Sequence, residues 1–491
     1  MTALRPPPSP PGPASADSAV ADAIAEAERL FALQRAHRWA MARTTAAERA
    51  ARLRRLRAAL IRHRAGLVAA MHADFRKPAA EVELTEMRPL LGEIDHAVRH
   101  LARWMRPERV GTPLLLAGTR SEVRPVPKGV VLVMAPWNYP ALLLLGPLVA
   151  AVAAGNCVIL RPSEKTPHTS DVLGRVVREA FDEREVALVV GDVPLAQRLL
   201  ELPFDHFFFT GSTRVGRLVM AAAARHLAGV TLELGGKSPA VVDAGTDLRL
   251  AARRIVWGKC LNGGQTCVAP DYVLADERVR APLLDEMRAV VEEYYGASPE
   301  ARRASPDFCR LIDDGAFARL TGALDASLAA GARLVTGGER DAGERYLAPT
   351  IVTGLDWDAP LMREELFGPV LPVLGVRDLA EAAERIRARP APLALYVFAR
   401  DRAAAERLLA GTTSGGAVLD NTVLHLGNPD LPFGGIGESG VGSYHGRHGF
   451  RAFSHERAVL VQGRWGIVPL LHPPYRTRVR RLLGVARRLF G

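Results

Sequence analysis

Short runs of consecutive apolar residues alternate along the chain with longer segments in which apolar positions recur at helical spacing. Such runs are typical of buried strands, and the longer segments are typical of helices. The first series predicts strands at residues 130–134, 158–160, 186–190 and 207–209, with helices near 140–154, 166–180 and 213–225. The second series predicts strands at residues 240–242, 272–274, 333–335 and 395–398. Because strands and helices alternate, two α/β domains with parallel sheets and right-handed crossovers are predicted.

The length of 491 residues exceeds what one compact core usually holds, which agrees with two or more domains. Residues 1–16 are rich in proline, alanine and serine and lack the apolar surface that offsets ordering entropy, so residues 1–18 are predicted to be a disordered tail. Four cysteines without paired spacing and the lack of a cleavable leader favour a reducing compartment, with the cytoplasm as the expected location.

A net charge of +11 raises the question of a polyanionic partner, but the positive residues are spread along the chain rather than blocked. No nucleic-acid partner is therefore expected. The most hydrophobic stretch, residues 139–154, falls short of the about 20 apolar residues that cross a bilayer, and it contains Pro140 and Pro147. This stretch is predicted to be a buried helix.

The C-terminal tail, residues 463–491, has a basic amphipathic pattern. Apolar residues recur at helical spacing among its arginines, at Val479, Leu482, Leu483, Ala486 and Phe490. The pattern is typical of a helix on a membrane surface, so peripheral membrane contact is one interpretation. A tail docked on its own protein is an equal alternative, because a short segment without a lipid anchor binds membranes only weakly.

Cys267 lies in an uncharged, glycine-containing segment, residues 262–270, that can bring a thiol against a carbonyl carbon. A thiol is a weak nucleophile until another group deprotonates it. Two candidate partners lie upstream: Glu233 ends an apolar strand-like run, and Asn138 lies between prolines that fix its backbone. Taken singly, the three residues are equally well explained as a buried small side chain, a solvated carboxylate and a turn asparagine.

Six segments, in matching order, resemble the motifs of the NAD(P)-dependent aldehyde dehydrogenase superfamily. They lie at residues 136–140, 209–216, 232–239, 264–270, 364–369 and 431–435. The last segment continues into residues 443–446, which are similar to the class 3 and fatty or coniferyl aldehyde dehydrogenase branch. The resemblance implies an α/β fold with two Rossmann-like parallel-sheet domains, a small bridging β-element and a homodimer.

The resemblance also implies where the domains lie. Residues 19–106 and 125–232 would form the cofactor-binding domain, and residues 233–419 would form the catalytic domain. Residues 107–124 and 420–462 would form the bridging segments between subunits.

A dinucleotide site is expected where residues 207–216 run from a strand into a helix, because exposed amides and the helix dipole favour a pyrophosphate. This pattern alone is weak evidence, since the GxGxxG spacing is missing and the P-loop pattern fails as well. By resemblance, the cofactor contacts are Trp137, Arg161, Glu164, Gly211, Ser212, Gly216, Leu234, Glu365 and Phe367. NAD is the expected cofactor and NADP is tolerated, because Arg161 suits a 2′-phosphate whereas Glu164 repels one.

By resemblance, Cys267 attacks an aldehyde, hydride leaves for the nicotinamide, and water hydrolyses the resulting thioester. The Asn138 amide and the Cys267 backbone N–H would stabilise the alkoxide, and Glu233 would activate the water. The expected function is NAD(P)-dependent oxidation of a hydrophobic, aliphatic or aromatic aldehyde to the carboxylic acid. A coenzyme A-acylating aldehyde dehydrogenase and a non-catalytic structural or membrane-associated protein are the alternatives. The histidines within residues 425–448 lack ligand spacing, and no metal is expected.

Overall fold

The computed structural model describes residues 13–467, 472–474 and 477–490. The strands are β1 (Glu108–Val110), β2 (Thr119–Pro127), β3 (Val130–Met134), β4 (Cys157–Arg161), β5 (Val186–Leu188), β6 (His206–Thr210), β7 (Gly229–Glu233), β8 (Pro239–Val242), β9 (Tyr272–Asp276), β10 (Arg333–Thr336), β11 (Arg340–Asp341), β12 (Tyr346–Leu347), β13 (Thr350–Thr353), β14 (Val370–Val376), β15 (Ala394–Phe398), β16 (Gly416–Leu419), β17 (Gly440–Val441) and β18 (Ser454–Gln462).

The α-helices are α1 (Pro13–Ala42), α2 (Ala46–Arg62), α3 (Arg64–Phe75), α4 (Ala79–Val82), α5 (Arg88–Trp104), α6 (Leu142–Ala154), α7 (Pro167–Ala180), α8 (Val193–Glu201), α9 (Thr213–Arg225), α10 (Leu248–Cys260), α11 (Glu277–Tyr295), α12 (Pro299–Ala304), α13 (Asp314–Ala329), α14 (Pro360–Arg363), α15 (Leu379–Arg387), α16 (Arg402–Ala410), α17 (Gly446–Ala452) and α18 (Thr477–Phe490). A π-helical turn, Glu83–Met87, joins α4 to α5, and 3-10 turns lie at Leu114–Leu116, Leu261–Gly264 and Leu424–Gly427.

The first sheet holds six strands in the order β17-β7-β6-β3-β4-β5. Five of them run parallel, and β17 pairs antiparallel with β7. All residues of β3, β4 and β6 are buried, as is typical of a parallel sheet between layers of helices. Helices α6, α7 and α9 follow β3, β4 and β6 along the chain, which confirms the predicted alternation.

The second sheet holds seven strands in the order β10-β13-β14-β9-β8-β15-β16. Its strands are parallel except β10, which is an edge strand antiparallel to β13. The chain is therefore an α/β protein with two parallel sheets, as predicted. Strand β14 was not predicted, because Pro372 and Gly375 interrupt its apolar run.

A third, antiparallel sheet has the order β1-β2-β18 and joins the two predicted bridging segments. All nine residues of β2 pair with the nine residues of β18. The second bridging segment also contributes β17 to the first sheet, where Gly440 pairs with Glu233. Residues 420–462 thus contact the cofactor-binding sheet as well as forming the bridging element.

The predicted disordered tail extends too far along the chain, because α1 begins at Pro13. Alanine is the best helix former, and alanines recur from residue 14 onwards, so the helix can begin before its first buried residues. Further along α1, Phe31 packs against Phe204 at 4.8 Å between ring centroids, which docks the helix on the first domain. Residues 1–12 of the predicted tail lie outside the described residues.

Helix α18 occupies the segment for which a basic amphipathic helix was predicted. Across residues 13–467, 472–474 and 477–490, no helix is both long and apolar enough to cross a membrane.

Candidate active site

A cavity of about 690 Å³ lies at the carboxyl ends of β6 and β7 and is bordered by loops of both domains. The three predicted catalytic residues, Asn138, Glu233 and Cys267, all line it. Six of the predicted cofactor contacts also line it: Trp137, Gly211, Ser212, Leu234, Glu365 and Phe367. Segments that are far apart in sequence therefore meet where the carboxyl ends of a parallel sheet usually hold a ligand.

The loop that carries Cys267 is held by the buried side chain of Gln265. Its amide nitrogen donates to the carbonyl oxygens of Asn262 and Arg310, both at 3.1 Å. Its amide oxygen accepts a hydrogen bond from the Ile312 N–H at 3.0 Å. Because all three contacts are buried, the loop has little freedom and the thiol is presented from a fixed backbone.

The Cys267 thiol is partly exposed to the cavity. Burial raises the pKa of Cys267, and the nearby carboxylates of Glu365 and Glu233 raise it further. The backbone N–H groups of Cys267 and Val268 oppose this shift by donating toward the sulfur. The sulfur is therefore protonated at rest, and its activation needs a proton acceptor in the same cavity.

Glu233 is the last residue of β7, and its side chain is only 2% exposed. Neither of its carboxylate oxygens has a hydrogen-bond partner among the described residues. Burial raises the pKa of Glu233 well above its usual value, because the charged form loses its hydration without gaining donors. A carboxyl group with a raised pKa is a better proton acceptor for a thiol or a water molecule than an ordinary carboxylate.

Asn138 follows β3, and its side chain is buried. Its amide nitrogen donates to the Gln265 carbonyl at 2.9 Å, and its backbone carbonyl accepts a hydrogen bond from the Asn262 side-chain amide at 2.9 Å. A carbonyl oxygen only accepts, so the Asn138 nitrogen must face Gln265. An amide nitrogen carries two hydrogens, and the second remains for an oxygen atom of a bound substrate.

The turn from β6 into α9, where the pyrophosphate was expected, lies at the cavity. Gly211 donates its N–H to the Glu233 carbonyl at 3.0 Å, which ties the turn to the neighbouring strand. Ser212 caps α9 by accepting the Val215 N–H at 3.4 Å. Gly216 does not line the cavity, and a Cβ there would lie 2.6 Å from Leu234, so this glycine allows α9 to pack closely against Leu234.

Glu365 and Phe367 enter the cavity from the second domain. The Glu365 carboxylate accepts the Gly236 N–H and lies so close to Gly235 that a Cβ there would be 2.0 Å from its Oε2 atom. Burial raises the pKa of Glu365 to about 8. Phe367 meets Trp137 edge to face at 5.4 Å between ring centroids, so the two rings form an apolar wall for a planar ligand.

Arg161 and Glu164 do not line this cavity. They lie at the end of β4, where the Arg161 guanidinium donates to Glu164 at 2.8 Å and to the Gly191 carbonyl at 2.9 Å. The guanidinium is thus already engaged by a carboxylate, which leaves it less available to a phosphate group.

The cavity has further wall residues that were not predicted as cofactor contacts, among them Gly235, Gly236, Lys237 and Arg319. The first three follow Glu233 in the chain, so their position beside a candidate base was the available signal. Arg319 had no such signal, because it is a surface arginine on α13 that reaches the site only in the folded chain. It donates to the Leu366 carbonyl at 2.6 Å and so supports the segment that carries Glu365.

A parallel sheet with two strands ending at a cavity, whose wall carries a thiol, a carboxyl group and an amide beside a strand-to-helix turn, is typical of an α/β enzyme. The chain matches the aldehyde dehydrogenase family over residues 12–459 and belongs to that family. It is therefore an aldehyde dehydrogenase, an oxidoreductase that couples aldehyde oxidation to NAD(P), as predicted.

Relatives and solved structures agree with this assignment. Aldehyde dehydrogenase family 3 member B1 of Bos taurus is 42% identical over 447 residues, which cover 90% of this chain and 94% of that protein. The substrate-bound state of Staphylococcus aureus AldH has a TM-score of 0.89 and 37% identity, covering 93% of this chain and 99% of the other. Mycobacterium tuberculosis aldehyde dehydrogenase complexed with NAD+ has a TM-score of 0.82 and 27% identity, covering 90% and 91%. These similarities confirm the predicted class 3 branch, the fold class and NAD as the cofactor.

Proposed function

We propose that this aldehyde dehydrogenase oxidises hydrophobic aldehydes to carboxylic acids, with Cys267 as the nucleophile, Asn138 as an oxyanion donor and Glu233 as the base. One observation carries the proposal: the three side chains line one cavity together with Trp137 and Phe367, which form an apolar wall for the nicotinamide. The remaining predicted cofactor contacts on that cavity surround the same space.

The first half of the reaction forms a thioester. Glu233, once ionised, accepts the proton of Cys267, and the sulfur adds to the carbonyl carbon. The carbonyl oxygen becomes an alkoxide that accepts hydrogen bonds from the Asn138 side chain and the Cys267 backbone N–H. Bound NAD supplies the hydride acceptor, so that departure of the hydride leaves an acyl group on the sulfur.

The second half hydrolyses the thioester. Glu233 first releases the proton of Cys267 to solvent; it then removes a proton from water, and the resulting hydroxide attacks the thioester carbonyl. The same two donors stabilise the oxyanion that forms, and its collapse releases the carboxylic acid and the Cys267 thiolate. Within the described part of the chain the Glu233 oxygens have no hydrogen-bond partner, which supports this role because a base needs a free acceptor atom.

An aromatic cluster beside the sulfur supports a hydrophobic substrate. Burial raises the pKa of Tyr444, and the Glu233 and Cys267 charges add to the shift, so this ring lies near the reacting groups. Tyr444 packs against Phe433 at 5.8 Å and against Phe208 at 5.1 Å between centroids. These rings do not themselves line the cavity, but their packing keeps the surroundings of the reacting groups apolar, which favours the apolar body of an aldehyde over a charged one.

The cofactor preference is proposed to be NAD, with NADP tolerated. The ion pair between Arg161 and Glu164 supports this order, because Glu164 repels a 2′-phosphate and already occupies the guanidinium.

Hydrolysis is preferred over transfer to coenzyme A, since a base beside the thioester activates water. Both catalytic halves depend on Cys267, so a non-catalytic role for the chain is the less favoured alternative.

The test is the substitution Cys267→Ala together with trapping of the acyl enzyme. We expect the wild-type protein to form NADH with a panel of aliphatic, benzylic and phenylpropenal aldehydes, and quenched samples to show the acyl mass on the Cys267 peptide. Cys267→Ala should lower kcat by about 10⁴-fold or more. Cys157→Ala is the matched control, since its buried thiol lies on β4 and does not line the cavity. Aldehyde consumption without any acyl peptide would contradict the proposal, and an acyl-coenzyme A product would identify the transferase alternative.

We also propose a cytoplasmic homodimer. The three-stranded sheet has an open edge at β18 within the described part of the chain, and Leu460 on that strand is 54% exposed. An exposed strand edge with apolar side chains favours pairing with another chain. Four cysteines that are all unpaired agree with a reducing compartment.

Peripheral membrane contact is proposed for α18, whose described arginines at positions 480, 481, 487 and 488 are exposed. We expect the full chain to sediment with phosphatidylserine-containing vesicles and a chain ending at Gln462 to stay in solution. The double substitution Arg487→Gln/Arg488→Gln should weaken the binding by about 30-fold, because each basic residue near an anionic surface contributes about 1 kcal/mol. If the full chain and the chain ending at Gln462 sediment with the vesicles to the same extent, the result favours a tail docked on its own protein.

A further inference from the structure

A buried ion pair lies behind the loop that carries Asn138. The ammonium of Lys77 donates to the Glu86 carboxylate at 2.9 Å, and both side chains are fully buried, at 0% exposure. Removing two charges from water is unfavourable, and apolar residues of similar volume often replace such a pair without loss of stability. The pair therefore calls for an explanation beyond the stability of the fold.

Both members of the pair bond the backbone of residues 138–142. The second oxygen of Glu86 accepts the N–H groups of Ala141 at 3.1 Å and Leu142 at 2.8 Å, at the beginning of α6. Lys77 donates to the Asn138 carbonyl at 3.5 Å, and its ammonium lies 4.0 Å from the centre of the Tyr139 ring. The pair thus contacts the Asn138 loop at both of its ends.

Glu86 reaches this position from an irregular part of the helical segment. It lies in the π-helical turn Glu83–Met87 between α4 and α5, and turns of this kind are frequent at functional sites. The same Asn138 carbonyl also accepts the Asn262 side-chain amide at 2.9 Å. The backbone of Asn138 is therefore fixed by one donor from the nucleophile loop and one from the buried pair.

We infer that Lys77 and Glu86 are positioning residues for the reaction, which hold Asn138 so that its side-chain amide meets the developing oxyanion. The inference rests on the proposed role of Asn138. A donor contributes only where its hydrogen points at the oxygen atom of the transition state, and a misplacement of about 1 Å can lower a rate by about 100-fold. Fixing the Asn138 backbone from two sides meets this requirement.

The experiment is a double-mutant cycle with Asn138→Ala. The pair is replaced together, as Lys77→Met/Glu86→Gln, because removal of one partner alone would leave a buried charge without compensation. We expect the pair variant to lower kcat by about 30-fold to 100-fold while KM for NAD changes less than about twofold. In the Asn138→Ala background the same replacement should lower kcat by less than about twofold, because the group that the pair positions is already missing.

The matched control is a surface pair. Asp171 and Arg175 on α7 form an exposed ion pair at 2.7 Å, and Asp171→Asn/Arg175→Met makes the same kind of change far from the cavity. We expect its kcat to equal that of the wild type. Circular dichroism and thermal unfolding identify the folded fraction of each variant, so that kcat is compared per folded molecule.

The results of this cycle distinguish the positioning role of Lys77 and Glu86 from the oxyanion role of Asn138. The inference is overturned if the losses in kcat multiply when the pair replacement is combined with Asn138→Ala. It is also overturned if the pair variant keeps the wild-type kcat. In both cases the role of Asn138 stands. An unchanged kcat in Asn138→Ala overturns the proposed oxyanion role instead. If the double replacement does not fold, Lys77→Gln/Glu86→Gln provides the same cycle, since it also removes both charges together and keeps a polar side chain at each position.

Discussion

At Glu233, stability and function place opposite demands on one side chain. The carboxyl group is 2% exposed and has no hydrogen-bond partner among the described residues, so it is an unfavourable group to bury. A group that removes a proton from a thiol and from water needs such free acceptor atoms and a raised pKa. The residue is therefore expected to reduce stability in return for catalysis, as is common for groups in active sites.

We expect Glu233→Gln to raise the melting temperature while it lowers kcat by about 100-fold or more. Because the pKa of Glu233 is raised in the folded state, the folded protein binds this proton more tightly than the unfolded chain does. The stabilisation that comes from binding this proton is fully present at pH values below the Glu233 pKa in the unfolded chain. It is lost as pH rises through the Glu233 pKa in the folded protein. The free energy of unfolding of Glu233→Gln should therefore exceed that of the wild type only slightly in acidic buffer and by about 1–3 kcal/mol in alkaline buffer. Thermal scans over pH would measure this difference.

A second readout of Glu233→Gln separates its two roles. A full burst of NADH followed by slow turnover would assign Glu233 to hydrolysis alone, whereas a slowed burst would include thiol activation. Wild-type kcat in the variant would contradict the proposed base.

At the level of elements, the turn Leu261–Gly264 sets the direction from which Cys267 enters the cavity. Three consecutive residues have positive φ: Asn262 at 55°, Gly263 at 61° and Gly264 at 76°. A Cβ on Gly264 would lie 2.2 Å from the Gly368 carbonyl oxygen, which belongs to the backbone and cannot easily move. The turn thus depends on glycine at this position for both its conformation and its close packing.

We expect Gly264→Ala to lower the free energy of unfolding by roughly 2 kcal/mol or more and to displace Cys267. Gly322→Ala is the matched control, because Gly322 lies within α13 and a Cβ there meets no atom within 4 Å. The control should gain up to about 1 kcal/mol from the better helix propensity of alanine. Urea unfolding and the rate of iodoacetamide labelling of Cys267 measure both effects, and equal behaviour of the two variants would contradict the role of the turn.

At the scale of the whole molecule, two α/β domains and an antiparallel sheet serve separate purposes. Strands β6 and β7 of the first sheet end at the cavity beside the turn into α9, and the second domain supplies Cys267, Glu365 and Phe367. The three-stranded sheet lies apart from the cavity residues and leaves β18 as an edge strand. The proposed assembly of two chains at β18 would therefore leave the residues that line the cavity unchanged.

We expect Leu460→Glu on β18 to shift the proposed dimer toward the monomer, because a buried interface would have to accept an unpaired charge. Leu334→Glu is the control, since Leu334 is 44% exposed on β10, the edge of a different sheet. Sedimentation velocity over a range of protein concentrations measures the shift. Identical sedimentation of both variants and the wild type would count against an interface at β18.

Several elements were predictable from the sequence because their signals are local. The run Val130–Met134 and the helix α9 have apolar patterns that depend only on neighbouring residues, and both formed as predicted. Strand β14 lacked that signal, since a proline and a glycine interrupt it and only its central place in the second sheet makes it a strand.

The sequence by itself determined the candidates for the chemistry, because Cys267, Glu233 and Asn138 lie in motifs that resemble those of the aldehyde dehydrogenase family. Only the tertiary structure decided which residues support them. Lys77 and Glu86 look like ordinary surface charges in the sequence, yet they are fully buried against the Asn138 loop, 61 residues from Lys77. Burial and pairing over such separations depend on how the helices pack on the sheet, and local spacing carries no record of that packing.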